Sequence, residues 1–185
     1  MHLHPDHCIG LIVDLQDRIV PRIHDHDRVV AGASRLVRGL AVLRVPVLCV
    51  ELYTRGLGRT VEPLAGLLAG SPQFEKIAFS CLGEPEILRE LKLSGRRCVI
   101  VAGIEGHACV LQTVLDLLVE RFVAVVVEDC VGSQRPSDRA VAIERMRQEG
   151  ARITTSESVL FELLGRAGTE TFRQVSAIVK EAGRD

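Results

Sequence analysis

Four stretches of this chain are apolar almost without a break: "CIGLIVDL" (8–15), "VPVLCVEL" (45–52), "RCVIVAGI" (97–104) and "FVAVVVEDC" (122–130). A strand with one wet face alternates apolar and polar side chains. A run without alternation, rich in β-branched residues, needs cover on both faces. That is the condition of a parallel strand held between two layers of helix. A shorter candidate strand, "ARITT" (151–155), follows Gly150.

The segments between these runs have helical spacing. In 28–43, Val29, Val30, Ala33, Leu36, Val37, Leu40 and Leu43 recur at steps of three and four residues. "EPEILRELKLSG" (84–95) has Pro85 near its start and Gly95 past its end, the usual asymmetry of helix termini. Val110, Val114, Leu117 and Leu118 mark a helix over 109–121. "RPSDRAVAIERMRQEG" (135–150) offers Ser137 as an N-cap and closes on Gly150. Residues 156–164 and 169–182 also read as helices. Strand and helix in alternation mean crossover units on a parallel sheet. The expected fold is α/β: one domain over residues 1–185, a three-layer α/β/α sandwich around a mostly parallel, Rossmann-like sheet of five or six strands. Residues 53–83 carry several Gly and Pro, have little periodicity, and read as one long irregular region.

Composition removes several function classes. The net charge is −1, and aromatic residues make up 3% of the chain with no Trp. Nothing here draws the chain to nucleic acid or anionic lipid, and a base-stacking platform is not expected. No apolar stretch has the length of a membrane span. The start, "MHLHPDHCIG", lacks the charged-then-apolar layout of a secretory signal. The six cysteines (Cys8, Cys49, Cys81, Cys98, Cys109, Cys130) form no CxxC pair. They are expected to be free thiols in a reducing compartment, with the cytoplasm as default address.

In an open parallel sheet, sites form beyond the carboxyl ends of the strands. Those ends bring up Asp14, Gln16 and Asp17; Glu51 to Tyr53; Gly103; and Glu128, Asp129 and Cys130. Cys109 falls at the first turn of the helix after the third long run. Unpaired N–H groups and the helix dipole there lower a thiol's pKa and supply donors for an oxyanion. A buried packing cysteine is the other reading of that position. Asp14, ending an apolar strand, is either a general base or a cap for the next segment. Lys76, in "QFEKIAFS", is either a surface lysine or a cation that stabilises a carboxylate and a thiolate.

Asp14 in "LIVDLQDR", Lys76 in "FEKIAFS" and Cys109 in "VAGIEGHACVLQTVLDLL" resemble the motifs of the isochorismatase-like cysteine hydrolases. The resemblance continues through "VVVEDCVGSQRPSDRAVAIERMRQEGARITTSESVLFELL" and so covers most of the chain. It is stronger to the small isochorismatase-domain proteins of unassigned substrate than to nicotinamidases. It implies the isochorismatase-like hydrolase fold, with Cys109 as nucleophile, Asp14 as proton acceptor and Lys76 as the cation that orients the pair. It also implies a cis peptide between Ile104 and Glu105, with the Glu105 and Cys109 N–H groups forming an oxyanion hole, and small Gly106 and Ala108 allowing close approach. A small-molecule substrate follows, an amide or amide-like carbonyl compound cleaved through a thioester. A dimer or higher homo-oligomer is expected too, with 53–83 or the helix at 109–121 at the contact.

This chain departs from the nicotinamidase pattern. "CVELYTRGLGRT" has no histidine where those enzymes have an Asp-x-His metal site, so neither metal nor cofactor is expected. Gly106 stands where Thr or Ser is frequent. His2, His4, His7, His24 and His26 read as loop or tail residues. Gln16, Arg18, Tyr53, Leu57, Phe79, Gly106 and His107 are candidate pocket residues. Three alternatives stay open: an enol-ether hydrolase that does not need Cys109, a silent binding protein on the same fold, and a redox protein in which Cys81 or Cys130 resolves an oxidised Cys109.

Overall fold

The structure, a computed structural model, describes residues 2–181. In chain order the elements are β1 (Cys8–Val13), α1 (His26–Val42), β2 (Val47–Leu52), the single turns α2 (Thr54–Leu57) and α3 (Leu64–Leu67), β3 (Gln73–Lys76) and α4 (Pro85–Leu93). After these come β4 (Cys98–Gly103), α5 (Leu111–Val119), β5 (Val123–Val131), α6 (Pro136–Gln148), β6 (Arg152–Thr154), α7 (Ser156–Leu164) and α8 (Glu170–Glu181). The expected helix over 169–182 matches α8, except that its last residue lies outside the described residues. All six strands pair in parallel, in the order β3-β2-β1-β4-β5-β6.

The continuous apolar runs are explained by two cores, one on each face. Alternate residues of β1 part company: Cys8 and Ile12 join α1, α7 and α8, whereas Ile9, Leu11 and Val13 join α4, α5 and α6. Every residue of β1 and of β4 is buried. The connection from β1 leads outward to β2, and the connection from β4 leads outward to β5. The crevice at that reversal, between the ends of β1 and β4, is where doubly wound sheets place ligands.

Three local expectations need correction. The region 53–83 is not wholly irregular: it holds β3, two single helical turns and a 3-10 turn at Cys81–Gly83. β3 escaped notice because it is a four-residue edge strand with only its last residue buried. Ser137 does not cap α6, which starts at Pro136 with Arg135 in the cap position and no side-chain cap bond. Proline is pre-organised for that first position, where its missing N–H costs nothing. Asp129 and Cys130 do not turn toward the site. Asp129 accepts hydrogen bonds from Arg35 (2.8 Å) and the Ser156 N–H (2.8 Å), tying β5 to α1 and α7. Cys130 packs in the α1-side core.

Gly103 ends β4 beside the crevice with φ +146°, and a Cβ there would lie 2.1 Å from the Val13 carbonyl oxygen. Only glycine lets the two strand ends approach this closely. Gly103→Ala is expected to lower unfolding free energy by about 2 kcal/mol or more, measured by denaturant titration. A variant that unfolds with the wild type would refute this packing role.

Candidate functional site

Asp14 is the first residue beyond β1. Its backbone is left-handed, at φ 56°. Its N–H donates to the Val50 carbonyl (2.9 Å), and its own carbonyl accepts from the Gln16 N–H (2.8 Å). This turn aims the carboxylate into the crevice. Lys76 arrives from the far side: as the last residue of β3 it is the one buried position on that strand. Its Nζ donates to Asp14 Oδ2 at 2.8 Å and to the Phe79 carbonyl at 3.0 Å. The Lys76 side chain is 0% exposed, so this is a true interior ion pair.

Cys109 sits in a π-helical turn, Gly106–Val110, immediately before α5. The Val110 N–H donates to the Glu105 carbonyl at 3.2 Å, the wide i+5 spacing of such a turn. The thiol is 3% exposed and packs in the α5-side core. The crevice therefore gathers Asp14, Lys76 and Cys109 from three separate elements.

The electrostatics follow from burial. Loss of water pushes Asp14 above the usual carboxylate range, with Lys76 pulling against that rise. Burial also works against the charge on Lys76, but the facing carboxylate outweighs it and holds the ammonium protonated above its ordinary range. Burial, reinforced by the negative charge of Asp14 and opposed by Lys76, pushes the Cys109 thiol up to about 12. This corrects the expectation of a thiol acidified by a helix start. The site is dry, a carboxylate faces the sulfur, and the π turn separates it from the first turn of α5. The resting sulfur is a neutral thiol.

One oxygen stands out. Asp14 Oδ1 is buried and has no nitrogen or oxygen partner among the described residues, and the Cys109 thiol is the hydrogen-bonding group that faces the carboxylate beside Lys76. Lys76 holds the other oxygen, so Oδ1 is left as the acceptor for a proton delivered inside the crevice.

The peptide between Ile104 and Glu105 is cis, as the resemblance implied. Among the described residues, the backbone hydrogen bonds outside helices and strands include none donated by the Glu105 N–H. The Glu105 carboxylate turns to the loop after β5. It accepts from the Gln134 N–H at 3.0 Å and lies 3.5 Å from His107 Nδ1, which is also 3.3 Å from Ser133 Oγ. Glu105 and His107 thus anchor the loop after β5. Gly106 faces the same loop, since a Cβ there would meet Ser133 Oγ and Val131.

The remaining candidates divide. The Gln16 amide is spent entirely on backbone groups. Arg18 donates to the carbonyls of Arg55 and Gly56. Tyr53 and Phe79 are exposed on loops that leave the same sheet edge, and Leu57 is half-buried there. Two contributors were missed. Thr113 Oγ1 accepts from the Cys81 N–H at 2.9 Å, fixing α5 against the loop that follows Lys76. Glu84 accepts from the N–H groups of Ile77 (2.9 Å) and Ala78 (3.2 Å), shaping that loop. A lone threonine in the apolar run "CVLQTVLDLL" was the available signal for the first.

Among the described residues, no three His, Cys, Asp or Glu side chains converge as a metal site. Among those residues too, no helix is long and apolar enough to cross a membrane. A cleft of about 540 Å³ lies between α1, Pro63 and α8, and none of the three crevice residues lines it.

Two outcomes follow from this geometry. Removing one member of the buried pair leaves an uncompensated charge, so Lys76→Met is expected to cost about 3–5 kcal/mol, and the double variant Asp14→Asn/Lys76→Met to recover part of that loss in denaturant melts. The thiol makes a second test. The folded chain keeps the Cys109 proton between the ordinary value of 9.0 and about 12, where the unfolded chain has released it. The stability this contributes is full below 9.0 and is lost as pH rises through that window. Cys109→Ala is expected to flatten the alkaline fall in stability, and an unchanged fall would count against a buried neutral thiol.

Comparisons with known proteins place the chain in a family. The isochorismatase domain family profile matches residues 8–158. The secreted isochorismatase effector Isc1 of Phytophthora sojae is 36% identical over 182 residues, covering 96% of this chain and 86% of that protein. Isochorismatase domain-containing protein 2 of Pongo abelii is 35% identical over 184 residues, covering 98% and 87%. Among solved structures, MAR1 ribonuclease from Caenorhabditis elegans superposes with a TM-score of 0.92 at 33% identity, covering 100% of this chain and 95% of that one. YcaC from Escherichia coli, described as an octameric hydrolase of unknown specificity, reaches 0.88 at 22% identity, covering 98% and 88%, and shares the fold. The match over residues 8–158, across the sheet and the Cys109 block, makes this chain a member of the isochorismatase family, with an isochorismatase-like hydrolase fold built on a six-stranded parallel sheet.

Proposed function

We propose that the chain is a metal-independent cysteine hydrolase that cleaves a small amide or amide-like substrate through a thioester. The observation that carries this reading is the buried Asp14 carboxylate, held by Lys76 through Oδ2 and facing the buried, neutral Cys109 thiol. A carboxylate raised by burial is a stronger base than a solvated one, and a neutral thiol needs such a base.

Asp14 takes the Cys109 proton as the sulfur attacks the substrate carbonyl carbon. The C=O electron pair moves to oxygen, and the resulting oxyanion is met by the N–H groups of Glu105 and Cys109. Collapse of the tetrahedral adduct breaks the C–N bond, and the protonated Asp14 gives its proton to the leaving nitrogen. Asp14 then deprotonates a water that attacks the thioester and regenerates the thiol. Lys76 keeps its own proton throughout. Its role is to hold Asp14 in place and to offset the negative charge that passes between carboxylate and sulfur.

The assembly and the address belong to the same reading. Tyr53, Ile77 and Phe79 expose apolar surface on loops at the site-bearing edge, a surface that fits contact between copies of this chain. All six cysteines are free and buried, which fits a reducing cytoplasm, although Isc1 is secreted.

The test is a panel of small amides with mass spectrometric detection of a Cys109 acyl adduct. Cys109→Ala is expected to abolish turnover, and Asp14→Asn to slow it by about 10²–10⁴-fold. Amide hydrolysis that survives Cys109→Ala would refute the thioester route, cleavage of an enol ether by that variant would move the assignment to enol-ether chemistry, and sedimentation as a monomer would refute the oligomer.

A further inference from the structure

Gln16 is buried, and every hydrogen-bonding group of its side chain is used. Oε1 accepts from the Leu52 N–H at 2.8 Å, and Nε2 donates to the carbonyls of Leu52 at 3.0 Å and Gly58 at 2.8 Å. The backbone around it completes a circuit. The Gln16 N–H closes the turn on the Asp14 carbonyl at 2.8 Å. Leu52 is followed by Tyr53, left-handed at φ 41°, whose N–H donates to the Lys76 carbonyl at 2.9 Å. The Lys76 side chain then returns to Asp14 Oδ2 at 2.8 Å. One amide therefore links the turn that carries the carboxylate to the strand end that carries the ammonium.

The loop between them is also held by Glu51, at Thr60 and Arg59, whose backbone pairs with the Gln16 segment. Glu51 accepts from the Thr60 N–H (2.7 Å), the Thr60 hydroxyl (2.8 Å) and Arg59 (2.8 Å). Gln16 alone among these anchors touches Leu52, the residue that leads to the contact with Lys76. No other neutral side chain of this length offers two donors and an acceptor from one planar group.

We propose that Gln16 is a positioning residue, whose amide fixes the Asp14 carboxylate at the Cys109 sulfur by locking the Asp14 turn to the end of β2. This rests on the reading of Cys109 as nucleophile and Asp14 as its base. When the lock is lost, the turn relaxes, the carboxylate leaves the sulfur, and the thiol no longer faces a negative charge. The expected signature is specific: Cys109 titrates at lower pH. Asp14→Asn removes the charge outright and sets the scale of that shift.

The experiment follows thiolate ultraviolet absorption against pH, taken in each background as the difference from the matching Cys109→Ser variant, with thermal melts alongside. Asp14→Asn is expected to move the Cys109 titration down by about one pH unit or more. Gln16→Leu and Gln16→Asn are each expected to produce part of that shift, the second keeping a neutral amide on a shorter stem and so guarding against a failure to fold. Glu51→Gln loosens the same loop while keeping the Gln16 amide on Leu52 and Gly58, and is expected to lower the melting temperature while leaving the titration in place. If the Gln16 variants only melt earlier, with a titration coincident with wild type, Gln16 is a loop anchor and the proposal falls while the hydrolase reading stands. If Asp14→Asn itself leaves the titration unmoved, the assignment of Asp14 as base falls, and the positioning role falls with it.

Discussion

The arrangement of this molecule turns on one interior ion pair. Lys76 and Asp14 meet at 2.8 Å with almost no access to solvent. Stripping water from both groups is expensive, and their attraction offsets it only when geometry is held closely. The surrounding structure supplies that hold: a left-handed turn at Asp14, a second ammonium contact at the Phe79 carbonyl, and a loop after β3 shaped by Glu84. The pair leaves one carboxylate oxygen unused. The Cys109 thiol faces the carboxylate there, and in the proposed reaction the carboxylate takes the proton of that thiol and later of a water.

The sheet order brings the three residues together. Asp14 leaves β1 at the point where the winding reverses, and the 104–109 segment leaves the adjacent strand β4 on the other side of the crevice. Lys76 comes from two strands away, at the sheet edge, and only its long side chain lets it reach. A shorter cation on β3 would stop short of the crevice. The dry site also sets the chemical division of labour. A sulfur that is not acidic at rest does not react indiscriminately, and in the proposed reaction its activation is tied to Asp14.

Much of the fold was legible beforehand because it rests on burial along single segments. The runs at 8–15, 45–52, 97–104 and 122–130 each announced cover on both faces, and each became a central or near-central strand. β3 was not legible, since an edge strand with one buried residue has no apolar run to show. Gln16 looked like a pocket residue because it follows Asp14 closely, yet its amide faces the backbone of β2 and the next loop. Asp129 looked like a member of the site because it stands near a strand end, but the register shift between β4 and β5 sends it to Arg35 and Ser156.

From the order of its residues alone this chain was bound to form a covered parallel sheet, with a carboxylate at the end of β1 and a thiol after β4. Those outcomes depend on local hydrophobic pattern, which a single segment carries in itself. The partner of the carboxylate, the ionisation of the thiol and the work of Gln16 were settled only on folding. Each depends on which distant groups share a space from which water has been removed, and the strength of a charge or a hydrogen bond there belongs to the assembled neighbourhood rather than to any one residue.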